Sequence, residues 1–351
     1  MYYDFSLLSY LAYRLISQSN VLIALKDDFE AKNFYESLIF FRDYFNSDAV
    51  ISFFESYSIG AVSSIAPSNE TIKNRINALS NLKNQNKNHF LVASLCALTQ
   101  PTIKEESFIL YEIEKNKSVD RKTFIELLGK FYYEFAASVE ELGQYSMRGS
   151  IVDCFVPIYD KPLRLDFFGD TIDDIRTFYP LNQTTHEKID RACITYAKEY
   201  CYNYNEGEFG FSLIDENIKG YILDYSTVKK LKKHCYFDER SSEFALKKVN
   251  LDKNLYDLRI LNESSEDALS FVNEFESVFA QSLLPDKKLD YLINLSKSMK
   301  VVIACASNYR MEKLKSILES KASDISINLN SDKGIFLNNG YLKRGFKLKD
   351  I

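Results

Sequence analysis

The chain has 351 residues, 46% of them apolar and 26% charged, and a formal net charge of −5. That length leaves room for two to three domains with sizeable cores, and the composition excludes wholesale disorder. The acidic balance argues against a stand-alone nucleic-acid clamp, because non-specific DNA affinity comes mostly from Lys and Arg neutralising phosphates.

Two short basic clusters, at 229–233 and 343–347, do not change this; the first reads as a solvated helix face. The cysteines at 96, 154, 193, 201, 235 and 305 include no Cys-x-x-Cys pair, and Cys305 ends the apolar run Val301 to Ala304, where a small buried thiol is the default. His89, His186 and His234 are scattered, so neither a zinc site nor a His-based triad is suggested. Met1-Tyr2-Tyr3-Asp4 lacks a basic leader and no apolar run approaches a membrane span. A reducing cytoplasm with free thiols fits best.

The first hundred residues read as an α/β unit. Phe5 to Ile16 has helical apolar spacing, and Asn20 to Leu25 reads as a buried strand. Asp27 and Asp28 cap a helix running to about Tyr44, with Phe29, Phe34, Leu38 and Phe41 on its apolar side. Strands follow at Ala49 to Phe54 and Phe90 to Ala93, separated by a helix from about Asn69 to Leu82. Such alternation implies a mostly parallel sheet with both faces covered.

A fold of that kind invites a nucleotide. A P-loop, however, needs a Gly-rich turn to cradle phosphates, then Lys and Ser or Thr. The Gly129-Lys130 step is followed by Phe131, with Phe124 where the first Gly belongs. No nucleotide cofactor is expected for these residues.

From Tyr145 to Phe178 short apolar segments follow one another closely. As a strand, Leu163 to Phe168 places Leu163, Leu165 and Phe167 on one face and Arg164, Asp166 and Phe168 on the other. The second face is either an ordinary solvated strand face or, with Arg beside an aromatic ring, a protein-protein hot spot. Arg148 before Gly149 is most simply a turn residue, free or tied to a carboxylate such as Asp170.

Three successive strands here resemble the second domain of the bacterial transcription-repair coupling factors, the Mfd family, and the related domain of the excision-repair protein UvrB. The counterparts are Arg148 to Phe155, Arg164 to Asp170 and Ile172 to Phe178. Ser150 replaces a usual Gly or Ala, and Tyr179 stands where an Asp is common. The resemblance implies a docking surface for UvrA, with the contacting positions falling on Arg148, Arg164 and Phe168. It also implies an amino-terminal module built like UvrB that has lost the ATP site. The long Tyr-rich DNA-gripping hairpin of UvrB has no room between Glu55 and Pro67.

Beyond Phe178 the pattern is looser. Ile194 to Tyr196 is expected to return the chain to the first domain, and the segment Arg191 to Leu261, including Lys219 to Tyr225, to complete its α/β unit. Helices are expected at Glu266 to Phe279 and Asp286 to Met299, then a strand-helix-strand unit at Val301 to Ala304, Tyr309 to Ser320 and Ile325 to Asn328, and a strand at Gly334 to Leu337. The expected fold is a degenerate P-loop, helicase-like parallel domain (1–112 and 193–262) with an inserted, mainly antiparallel α+β domain (113–192) and a small separate α/β domain (263–351).

The chain stops at Leu348-Lys349-Asp350-Ile351 on what reads as the approach to another strand, as in the front part of a longer polypeptide. In the family, RNA polymerase and double-stranded DNA are engaged by downstream domains, ATP and magnesium belong to the downstream motor, and the carboxy-terminal domain masks the UvrA surface. Two alternatives stay open: a divergent UvrB-type helicase fragment, and a scaffold stacking single-stranded DNA on its many aromatic rings.

Overall fold

The computed structural model describes residues 9–10, 12–14, 20–57, 67–84, 88–100, 102–103, 105–199, 219–222, 255–257, 285–321 and 333–342. Of the elements expected from sequence, the helix at 266–279, the strand at 325–328 and both basic clusters lie outside these residues.

β1 (Val21–Leu25), α1 (Asp28–Tyr44), β2 (Val50–Phe54), α2 (Asn69–Lys83) and β3 (His89–Ser94) follow one another in the order the periodicity predicts, and a short α3 (Leu95–Thr99) that it does not announce follows β3. β3 lies between β1 and β2, parallel to both, with Val21 opposite Phe90 and Val50 opposite His89. Helical crossovers are what parallel neighbours require. Val21, Ile23 and Leu25 enter a core with Phe34, Leu38 and Phe41 of α1, whereas Leu22 and Ala24 enter a second core with Ile76 and Leu79 of α2. The sheet is therefore covered on both faces.

Both long helices begin at side-chain caps: Asp27 accepts from the Glu30 N–H at 2.9 Å and Ser68 from the Thr71 N–H at 3.1 Å. One expectation for α1 is corrected, since Phe29 is exposed. It precedes Phe34 by five residues, about 140° around the helix, so it leaves the stripe that Ala31, Phe34, Leu38 and Phe41 form.

β4 (Tyr111–Glu114) leads into α4 (Arg121–Lys130) and then β5 (Glu134–Phe135), β6 (Gln144–Arg148), β7 (Ile151–Cys154), β8 (Leu163–Phe168), β9 (Thr171–Phe178) and β10 (Thr185–Lys188). The last six form one sheet in the order β10-β9-β8-β7-β6-β5, antiparallel except for the short β5–β6 pair. β11 (Arg191–Ile194) closes this region by pairing antiparallel with β4. The return strand expected at Ile194 to Tyr196 thus begins earlier, and its partner is β4 rather than the parallel sheet.

Phe124 and Leu128 of α4 pack with Val152, Leu165 and Phe167 on the inner face of the antiparallel sheet. That core is continuous with the one under α2. A buried ion pair lies near the seam: Arg75 Nε donates to Glu199 Oε2 at 2.7 Å, and the guanidinium sits 4.1 Å from the Phe54 ring centroid and 4.2 Å from that of Tyr57. Glu199 also accepts from the Tyr57 hydroxyl and the Ile103 N–H, each at 3.0 Å. Hydrogen-bond satisfaction of this kind is what makes a fully buried pair tolerable.

β12 (Lys219–Ile222) and β13 (Leu255–Asp257) extend the parallel sheet to five strands, in the order β13-β12-β1-β3-β2. The chain continues through α5 (Pro285–Ser296), β14 (Lys300–Cys305), α6 (Asn308–Lys321) and β15 (Gly334–Asn339), with β14 and β15 paired in parallel. Val301 and Ile335 pack with Leu289 of α5 and Leu318 of α6. Val302 and Ala304 pack against the core of α1 instead. The protein is thus mixed α/β, with parallel and antiparallel sheets.

Candidate functional site: the outer face of the antiparallel sheet

The β7–β8–β9 register fixes which side chains share the outer face. One cross-strand row runs Ser146, Asp153, Arg164, Arg176 and Lys188; the next runs Arg148, Ile151, Asp166 and Asp174. Strand alternation places the apolar partners Val152, Leu165 and Ile175 in the core on the other side. The alternation read from Leu163 to Phe168 therefore holds: Leu163, Leu165 and Phe167 are buried, and Phe168 is 83% exposed.

Asp153 is the centre of the face. Its side chain is wholly buried, and it takes a two-pronged interaction from Arg164, Nε to Oδ1 at 2.7 Å and Nη2 to Oδ2 at 2.8 Å. Arg148 adds a third donor, Nη2 to Oδ2 at 3.1 Å. The planar guanidinium fork matches a carboxylate in this way, as a Lys would not. The carboxylate that answers Arg148 is thus Asp153, five residues on in the neighbouring strand of the hairpin, and not Asp170.

The two arginines are differently committed. Arg164 stacks 4.3 Å from the Phe178 ring centroid, gives Nη2 to Gln183 Oε1 at 2.9 Å and Nη1 to the Gln183 carbonyl at 3.3 Å, and its side chain is 13% exposed. Hydrogen bonding to Asp153 holds its guanidinium still more firmly protonated than usual. Arg148 uses Nη2, also directed at Gln183 Oε1 at 3.3 Å, and its side chain is 51% exposed. Among the described residues its Nε and Nη1 groups have no partner, so Arg148 retains donors to offer outward.

Two tight hairpins bring the remaining groups together. Gly149 and Gly169 stand first in the two-residue turns β6–β7 and β8–β9 with φ of +59° and +61°, a backbone region in which glycine carries no Cβ penalty. The β6–β7 tip is tied to β8: Ser150 Oγ donates to Asp166 Oδ1 at 2.8 Å and the Phe167 N–H donates to the Ser150 carbonyl at 3.1 Å. The hydroxyl at position 150 thus has a role that a Gly or Ala would lack. Phe168 stands immediately before its turn, fixed by the pair it forms with Thr171.

Further along the face Asp174 is buried, and although burial pulls its acidity down, hydrogen bonds from Arg176 and Lys188 prevail and hold its pKa below the ordinary value. The thiols Cys154 and Cys193 are driven the other way by burial, the latter to about 11, so neither is a nucleophile at neutral pH. No group of three or more His, Cys, Asp or Glu side chains with metal-binding geometry occurs among the described residues. Nor is any helix among them long and apolar enough to cross a membrane. The chemistry available on this face is recognition by charge-assisted hydrogen bonds and an exposed ring.

Sequence reasoning named Arg148, Arg164 and Phe168, and the structure brings the two arginines onto one carboxylate with Phe168 on the same face. It missed Asp153 and Gln183. Asp153 left a signal, an acid between the core positions Val152 and Cys154 on a strand; Gln183 left none, because it lies in a loop.

Residues 111–200 match the family model of the UvrB interaction domain. The chain is 31% identical over 137 residues to the transcription-repair-coupling factor of Myxococcus xanthus, a stretch that is 38% of this chain and 11% of that protein. The Haemophilus influenzae transcription-repair-coupling factor is 32% identical over 139 residues, 38% of this chain and 12% of that protein. UvrABC system protein B of Thermosipho africanus is 29% identical over 193 residues, 53% of this chain and 28% of that protein. The matched stretch thus spans between 11% and 28% of these relatives' lengths. Over its N-terminal region the chain is therefore related to the transcription-repair-coupling factors and to UvrB, and carries a UvrB interaction domain with its paired arginines on one sheet face.

Proposed function

We propose that this chain is the amino-terminal UvrB-homology module of a transcription-repair coupling factor, and that it recruits UvrA through Arg148, Arg164 and Phe168. The observation that carries the reading is the Arg148–Asp153–Arg164 cluster on the same exposed sheet face as Phe168, within the residues that match the UvrB interaction domain. Arg148 and Phe168 present themselves to the partner, and Arg164 holds the face in shape while offering a narrow edge. RNA polymerase, double-stranded DNA and an ATP-driven motor enter through downstream domains of the parent protein, whose carboxy-terminal domain masks the same face at rest.

The parallel sheet is read as a helicase-like domain that has lost its nucleotide. β1 passes into α1 through Lys26 and Asp27 without a glycine. The amino-terminal dipole of α1, which in a P-loop fold receives phosphate, is instead met by the chain's own Asp27, with Asp28 and Glu30 in the first turn. A phosphate there meets like charge.

The test is calorimetric titration of this chain with purified UvrA in the absence of ATP. The expected outcome is measurable binding that Arg148→Ala or Phe168→Ala weakens by roughly thirtyfold, the usual effect of losing a hot-spot side chain worth about 2 kcal/mol. Arg164→Ala is expected to weaken it as well. A triple variant that stays folded and binds like the parent would discard the named site.

A further inference from the structure

We propose that the strap Tyr179–Thr184 belongs to the same docking surface, with Leu181 as an apolar contact to UvrA and Gln183 as the residue that positions strap and arginines together; this rests on the UvrA reading above. Three observations carry it. The strap runs over the outer face, where Phe178 would otherwise be in water, and leaves that ring fully buried beneath the Arg164 guanidinium. At its apex Leu181 is 102% exposed, and Tyr179 beside it is 43% exposed. A single exposed leucine is ordinary, but this one is held out on a closed frame.

The frame is hydrogen-bonded at each corner. The Tyr179 N–H donates to the Thr184 carbonyl at 2.9 Å, the Gln183 N–H to the Tyr179 carbonyl at 2.8 Å, and Gln183 Nε2 to the Pro180 carbonyl at 2.7 Å. Thr184 donates from both N–H and Oγ1 to Asn182 Oδ1, at 3.1 and 2.7 Å. Gln183 then reaches outward with its remaining oxygen, which accepts from Arg148 and Arg164 alike.

Gln183 holds φ of +60°, a region that side-chain-bearing residues occupy only when their surroundings compensate. Its side chain is held there by both arginines and the Pro180 carbonyl, and its N–H by the Tyr179 carbonyl. A strap already fixed in this way loses little conformational freedom when a partner closes on it, so an apolar apex adds affinity efficiently. The partner that fits is a UvrA surface with a carboxylate for Arg148 flanked by apolar side chains, for Phe168 on one side and Leu181 on the other.

The experiment titrates purified UvrA with the full chain and with Leu181→Ser, Gln183→Gly, Arg148→Ala and the Arg148→Ala/Gln183→Gly double variant. Glycine is chosen at 183 because it accepts the positive φ and removes only the side chain. Leu181→Ser and Gln183→Gly are each expected to weaken binding about tenfold, Leu181→Ser with unchanged melting temperature and Gln183→Gly with the chain still folded, as its circular dichroism would show. The double variant is expected to bind worse than Arg148→Ala by clearly less than the tenfold that Gln183→Gly costs alone, because part of what Gln183 does passes through Arg148. If the two strap variants bind like the parent while Arg148→Ala does not, the strap is overturned and the arginine site stands. Full additivity in the double variant overturns the positioning of Arg148 by Gln183. Absence of UvrA binding by the parent chain overturns the strap together with the reading beneath it.

Discussion

At the scale of single residues, the protein relies on buried polar groups whose partners are specific. Asp153 is tolerated at zero side-chain exposure because two guanidinium groups converge on it, and Arg75 because Glu199, a carbonyl and two rings surround it. His89 is a neutral counterpart: its Nε2 lies 2.9 Å from Ser52 Oγ, and burial lowers its pKa from 6.5 to about 4. Above pH 6.5 the ring is neutral whether the chain is folded or not, and nothing is lost. Between about pH 6.5 and 4 the unfolded chain takes up a proton that the folded chain refuses, so stability falls with falling pH; below that range the slope ends. The full effect is about 3 kcal/mol. Urea unfolding at pH 7 and near pH 4.5 should therefore show His89→Gln losing less stability over the interval than the parent, since glutamine keeps a polar group without a titration; equal losses would mean that His89 titrates as in water.

At the scale of elements, α1 serves two sheets. One side supplies Phe34, Leu38 and Phe41 to the parallel sheet, and Phe40 meets the unit that contains β14 and β15. Gly340, just after β15, has φ of +144°, and a Cβ there would lie 2.8 Å from Phe40 Cδ2. Asn338 Nδ2 reaches the Phe40 carbonyl at 3.5 Å in the same contact. Gly340→Ala is thus predicted to lower stability by about 2 kcal/mol, from overpacking and an unfavourable backbone, and to raise amide exchange along α1 and β14–β15 while the exchange of β7–β9 is unchanged. Uniform exchange in parent and variant would show that the contact carries no energy. The sequence announces α1, β14 and β15 by period and composition, but not this close approach, because a glycine after a strand reads locally as a turn.

At the scale of the whole molecule, two sheets with different tasks share one hydrophobic core: a covered parallel sheet and an antiparallel sheet with one face turned outward. With the first crossover helix capped by Asp27, millimolar ATP and magnesium are predicted to leave the melting temperature of the chain unchanged. A ligand at a hundredfold its Kd would add about 2.7 kcal/mol and a shift of several degrees, and such a shift would restore the helicase-fragment reading. What the sequence by itself determined is whatever depends on near neighbours: the period-two faces of β8, the helical stripe Phe34, Leu38 and Phe41, the cap at Asp27, and the run of three strands that marks the family. What only the tertiary structure decided is which carboxylate answers which arginine. Arg148 and Arg164 meet at Asp153 and Gln183 because β6, β7 and β8 adopt one register and a loop after β9 folds back over them. A pairing between residues 19 or 35 positions apart depends on that closure, and local periodicity carries no record of it.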